Sequence, residues 1–332
     1  MATADITAPP REPGLGALLR RNRIDAAITA ILLALYAIFI GVRPDVYTSF
    51  DIYRAFMTTL PYIGLLALAA TFIVTLGEID LSFPSVMGLS AWVYGTVFLA
   101  SGSLGLGLLA ALLAGAACGL VNGLIVTKIG VPSIVATIGT MFLWRGIVNV
   151  LAEGQGIPLV ALRDSPLHPW VVGRLPGGIP MQFAWFLVAA AVLALIYRRH
   201  VFGSHVLFVG DNAASARMMG IPVDRVKIAC FMLMGGAAAL AGVVLVSEVT
   251  YFWATTGDGF LLPALAAVFI GGTSVFGGRG SIYGTFVGVL IIGSLEAGIV
   301  AMGIAGFWTQ VIYGLMITVS VCIYALIMRR AG

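Results

Sequence analysis

The chain has 332 residues, 60% of them hydrophobic and only 10% charged, with a mean hydropathy of +1.06 and a formal net charge of +4. Soluble domains carry about one-quarter charged residues, so the composition excludes a soluble enzyme and gives no sign of a nucleic-acid partner. It leaves an all-α integral membrane protein with the lipid bilayer around it, because lipid offers backbone groups no hydrogen-bond partner and long, non-alternating apolar runs do not suit barrel strands.

Residues 1–25 are polar, Pro-containing and basic, with Arg20, Arg21 and Arg23 just before the first apolar run. That run has no small-residue cleavage site, so the expectation is a cytoplasmic tail and an uncleaved first span. Residues 26–332 then read as a single transmembrane domain. Apolar runs and their breakers predict ten spans, at 26–42, 56–77, 84–101, 104–127, 131–152, 181–197, 228–247, 261–276, 281–303 and 307–328. The eighth is short and Gly-rich, and is expected to be broken or re-entrant. With the N-terminus inside, thirteen of the eighteen basic residues fall on one side, among them Arg11, Lys128, Arg198, Arg199, Arg279, Arg329 and Arg330. Only Arg43, Arg54, Arg163 and Arg174 fall on the other, so the positive-inside rule places both termini in the cytoplasm.

Along the chain, GEIDLS (77–82) puts Glu78, Asp80 and Ser82 at the start of the third span. Asp80 and Ser82 could cap that helix, with Pro84 in its first turn and negative charge complementing the helix dipole. Gly115, Gly119 and Gly123 in span four, and Gly284 and Gly288 in span nine, have the small-residue spacing of close helix packing. Asn122 lies near the inner end of span four; Arg145, with Asn149 one turn above it, lies in span five. Arg145 and Glu296 both stand roughly 21 to 23 Å from the inner side at about 1.5 Å per residue. Ionisable residues within a membrane are costly and default to functional candidates. Arg145 and Glu296 are therefore expected to face one another or a shared vestibule; a structural ion pair, or Arg145 reaching the outer headgroups, are the alternatives. Asn122 and Asn149 could bond a passing solute or another helix.

The longest outer loop, 153–180, is Pro- and Gly-rich and is either a docking surface, a lid or a plain connector. The cytoplasmic loop 198–227 contains GDNAASARMMGIPVDRVK (210–227). Asp211 or Asn212 is a suitable N-cap, Gly220 suits the C′ position, and Pro222 stops the helix, so a two-turn helix is expected there. It carries Arg217, Asp224 and Arg225 as charges, and Met218 and Met219 offer adaptable apolar surface to a partner; a solvated connector is the alternative. GTSVFGGRG (272–280) has Walker A glycine spacing, but Gly278 stands where the Lys is required and Arg279 where the Ser or Thr is required, so it reads as a tight turn. Cys118, Cys230 and Cys322 lie in apolar runs as packing residues, and His168, His200 and His205 are too scattered for a metal site.

TLGEIDLSFPSVMGLSA (75–91), VPSIVATIGTMFLWRGI (131–147), LLPALAAVFIGGTSVFGGRGSIYGTFVG (261–288) and the 210–227 stretch together resemble permease subunits of bacterial ATP-binding cassette importers for simple sugars, the ribose, xylose and arabinose type; Glu78 departs from that pattern, where Gly is usual. The resemblance implies a ten-helix permease in the inner membrane that pairs with a second copy, binds two cytoplasmic ATPase subunits and receives substrate from a periplasmic sugar-binding protein. It also implies that Asp211 to Gly220 is the coupling helix, that ATP is used by the partner and not by this chain, and that no cofactor resides here. For Glu78, Asp80 and Ser82 the resemblance suggests a second reading beside capping, a cytoplasmic gate or a contact with the ATPase. The solute would be a monosaccharide or similar small polyol. Branched-chain amino acids or nucleosides are the nearest alternative. An ion-coupled transporter would need more acidic or His residues at mid-membrane than Glu296 alone.

Overall fold

The computed structural model describes residues 23–301 and 308–331, with side chains at 25–299 and 308–322. Of the expected tail at 1–25, residues 1–22, with Arg11, Arg20 and Arg21, lie outside the described residues and 23–25 are the start of the first helix; the side chains of Arg23, Arg329 and Arg330 also lie outside them. In order, the elements are α1 (Arg23–Val42), α2 (Pro44–Tyr47), α3 (Phe50–Thr75), α4 (Phe83–Ser101) and α5 (Leu104–Leu124), which a π-helical turn (Ile125–Ile129) extends. Then come α6 (Ser133–Leu151), β1 (Ile157–Pro158), a 3-10 turn (Val160–Asp164), α7 (His168–Val172), α8 (Met181–Arg199), α9 (Val201–Asp211) and α10 (Ala213–Met218). The chain continues through α11 (Val223–Val249), β2 (Tyr251–Phe252), α12 (Leu261–Ile270), α13 (Ile282–Ala301) and α14 (Trp308–Ala331).

Among the described residues, eight helices are long and apolar enough to cross a membrane: α1, α3, α4, α5 with its π turn, α6, α8, α11 and α13. The tenth expected span is the 24-residue α14. The eighth is α12, whose 10 residues reach about 15 Å, half a hydrocarbon core. It ends at Ile270, where the chain turns through Gly271 and through Gly272 at φ +80°. Residues 271–276, expected to complete that span, are therefore turn and not helix.

The second span starts at Phe50, earlier than expected, and α3 forms the axis of the bundle, with an unbroken buried run from Leu60 to Thr75. Around it pack α8, α11, α12 and α13. Large apolar side chains such as Leu33, Leu113, Phe142 and Val150 point outward, as lipid-facing residues do.

The glycine ladder of α5 meets α11. A Cβ on Gly115 would lie 2.3 Å from the Gly235 carbonyl oxygen, and one on Gly119 would lie 2.2 Å from that of Phe231. The second pair does the same work between α12 and α13, where Cβ atoms on Gly284 and Gly288 would lie 2.0 and 2.2 Å from the carbonyl oxygens of Gly271 and Ala267. Both ladders thus pack helices within one chain. Gly119→Ala is expected to cost about 3 kcal/mol or more, because backbone cannot yield as a side chain does. Gly139→Ala, in open space, is the matched control; thermal unfolding in detergent compares them.

Candidate coupling surface and translocation cleft

At one end of the bundle, α10 stands out on a short, capped stem. Asn212 is its N-cap, and its Oδ1 accepts from the Ser215 N–H at 2.9 Å. Asp211, the other cap candidate, is instead the last residue of α9, a helix within the expected loop 198–227. The far end closes as a Schellman motif: the Gly220 N–H donates to Arg217 O and the Ile221 N–H to Ala216 O, both at 3.0 Å, with Gly220 at φ +81°. Ala216 is buried against the bundle, whereas Met218 and Met219 are 83% and 61% exposed. Arg217, itself exposed, is tied down on the surface: Asp224 Oδ1 accepts from it at 2.8 Å, and Asp224 Oδ2 accepts from Lys128 at 2.9 Å. Those bonds tie α10 to the ends of α5 and α11, leaving Asp211, Arg225 and the methionine pair facing outward.

Behind α10, three backbone segments meet. Gly278 N–H donates to Thr75 O at 2.9 Å. A Cβ on Gly210 would lie 1.8 Å from Thr75 O, and one on Gly277 would lie 2.6 Å from Gly210 O. The 271–281 turn therefore braces the end of α3 against the α9–α10 junction.

The linker before α4 is sewn to its neighbours. Glu78 contacts the Lys227 ammonium, and the Ile79 N–H donates to Ser133 Oγ at 3.1 Å. Asp80 Oδ1 accepts from the N–H and the Oγ of Ser82, each at 2.7 Å, while Ser82 Oγ accepts from Asn122 Nδ2 at 2.7 Å. Burial pushes the Asp80 carboxyl above the ordinary carboxylate range, against the pull of the Ser82 and Asn122 donors. The expected cap is not formed as such: Ser82 holds the N-cap position without a side-chain cap bond, because its hydroxyl is engaged by Asp80 and Asn122. Asn122 consequently belongs with Asp80 and Ser82 in one buried polar knot, while Glu78, part-buried, is held separately by Lys227.

Further along the bundle axis, the chain between α11 and α12 folds back into the protein as a non-helical strap, 251–260. Arg145, only 16% exposed, holds it. Its Nη1 donates to Ala254 O at 2.7 Å and Thr256 O at 3.0 Å; its Nη2 donates to Asp258 Oδ1 at 2.6 Å and Pro84 O at 3.4 Å. Gly257, at φ +96°, lies so close to α4 that a Cβ would meet Pro84 O at 2.0 Å. The expected Arg145 and Glu296 pair is not present. Glu296 accepts from Tyr313 Oη at 3.1 Å, and Arg145 is spent on the strap. What the two share is indirect: Asp258 and Glu296 both line a cleft of about 470 Å³ with Phe260, Thr309, Gln310 and Tyr313. Asn149 is exposed one turn beyond Arg145, apart from this cleft's lining. Asp258 and Tyr313 were missed from sequence; the acid inside the TTGDGF stretch was the available signal.

The loop 153–180 is structured and joined to the strap. β1 pairs antiparallel with β2, Ile157 opposite Phe252 and Pro158 opposite Tyr251. Leu159 and Leu162 are fully buried, and the Leu159 N–H donates to Thr250 O at 2.9 Å. Among the described residues, no group of three or more His, Cys, Asp or Glu is placed to hold a metal ion.

The family model described as branched-chain amino acid transport system / permease component matches residues 52–321. The autoinducer 2 import system permease protein LsrC of Yersinia enterocolitica is 34% identical over 301 residues, covering 90% of this chain and 81% of the relative. The protein of the same name from Salmonella typhi is 31% identical over 310 residues, 90% of this chain and 84% of its own; that of Enterobacter sp. (strain 638) is 34% identical over 300 residues, 90% and 85%. No solved structure matches the chain. A permease of this kind works with ATPase and binding-protein partners and lies in the inner membrane. The chain therefore belongs to the branched-chain amino acid transport system permease family, as the multi-pass permease subunit of an ATP-binding cassette importer and not an enzyme.

Proposed function

We propose that this permease imports a small, neutral polyhydroxylated solute of the sugar class and is driven through α10 by a cytoplasmic ATPase. The observation that carries the coupling role is α10 itself: a helix capped at both ends, anchored by Ala216 and presenting Met218 and Met219 outward. Its end of the bundle also carries Lys128, Arg198, Arg199, Arg225, Lys227 and Arg279, which by the positive-inside rule makes it the cytoplasmic end. The loop 153–180 then faces the periplasm and the binding protein, both termini are cytoplasmic, and a second permease copy completes the pathway. Residues 26–332 act as one domain. The knot of Asp80, Ser82 and Asn122, with the neighbouring Glu78, is the inner gate; Arg145 and Glu296 border the outer part of the route.

A sugar-class solute accords with the motifs shared with simple-sugar permeases and with relatives named for import of autoinducer 2. The family's description favours a second reading, branched-chain amino acids. Proteoliposomes holding the permease with its ATPase and binding protein separate the two. ATP-dependent uptake of a labelled pentose or hexose, not displaced by leucine, is the expected result; uptake of leucine alone, or ATP hydrolysis by the isolated permease, would refute the proposal.

A further inference from the structure

We infer that the strap 251–260 is the outer gate of the import route, that Arg145 and Asp258 are the positioning residues that latch it shut, and that β1 is the handle by which the periplasmic loop moves it. The inference rests on the import reading above.

Three observations converge. Non-helical backbone at membrane depth is tolerated where protein buries it or where it lines a water-filled cavity, and the strap does both: Thr256 is 4% exposed, whereas Asp258, 58% exposed, faces the cleft. The strap is held chiefly by one side chain. Arg145 satisfies the carbonyls of Ala254 and Thr256 and the Asp258 carboxylate together, so a single guanidinium fixes three points of the segment. Finally, the strap's leading end is part of the outer loop's own structure. β2 pairs with β1, Arg163 donates to Thr250 Oγ1 at 3.4 Å, and Leu159 packs where a Cβ on Gly95 would meet it at 3.1 Å. A push on the loop is therefore delivered to residues 251–258 along backbone hydrogen bonds, and the bond between Arg145 and the half-exposed Asp258 is the one with water close by to replace it.

Cysteine labelling reads the strap without transport, so its failure would leave the import reading standing. Thr256→Cys in a Cys322→Ser background is exposed to a membrane-impermeant maleimide from the side of loop 153–180. Slow labelling is expected in that parent. Adding Asp258→Asn should accelerate it roughly tenfold, the scale of one lost charge-assisted hydrogen bond, and Asp258→Glu should restore the slow rate. Leu159→Ala should also accelerate it, by loosening the handle. Asp258 is exposed enough for the Asn variant to keep its thermal midpoint. Fast labelling of the parent, or an unchanged rate in Asp258→Asn at unchanged thermal midpoint, would overturn the latch; an unchanged rate in Leu159→Ala would overturn the handle.

Discussion

Exchanging Met218 and Met219 for aspartate should lower ATP-driven uptake by roughly 100-fold or more and release the ATPase from the purified complex. The two side chains stand clear of the bundle, at 83% and 61% exposure, so the permease itself should unfold at the same temperature, as surface exchanges usually stay within about 0.5 kcal/mol. The loss falls on the contact. Burying one such side chain is worth about 1.5 to 3 kcal/mol, so removing two costs at least two decades of affinity, and each carboxylate adds a desolvation penalty inside a groove. Asn212→Ala should act more weakly, through about 1 kcal/mol of lost capping. Uptake and co-purification at normal levels in the double aspartate variant would show that α10 does not carry the coupling contact.

Arg145→Leu should abolish uptake and lower permease stability by roughly 2 to 4 kcal/mol. Leucine matches the stem but leaves the Ala254 and Thr256 carbonyls and Asp258 without their donor. Asp258 is 58% exposed and can rehydrate, so most of the cost lies with the carbonyls turned toward α4 and α6. Arg145→Lys should recover part of the stability, since an ammonium keeps the charge but lacks the planar fork that spans these acceptors. Glu296→Gln is the contrasting case: exposed, with a Tyr313 hydrogen bond that an amide oxygen still accepts, it should leave stability nearly unchanged. Thermal midpoints of the three variants in detergent, beside their uptake rates, check the ordering.

The spans were legible because hydropathy acts at the scale of a whole helix, and α10 was legible because capping is local: Asn212, Gly220 and Pro222 each act within a few residues. What escaped depends on packing. α9 is set by such packing: Gly203 and Gly210 are the places where its backbone meets the Tyr197 and Thr75 carbonyls, a closeness that sequence spacing does not show. Asp80 and Ser82 look like caps in isolation; Asn122, forty residues away, redirects Ser82. Counting residues along two ideal helices put Arg145 and Glu296 at a common height but carried no information on which way each side chain turns. The strap was least visible, because no periodicity marks a run of turns that folds back into a protein, and Asp258 went with it.

The paired glycines between α5 and α11 set backbone against backbone at Gly115, Gly119 and Gly235, where no side chain is long enough to act as a cushion. Carbonyl oxygens occupy the room that movable methyls fill elsewhere, so these two helices can neither slide nor roll against each other without collision. They form a fixed mast. Any cycle of opening and closing must be hinged around it, in the linker before α4, the strap and the 271–281 turn, where the chain has no helix to break.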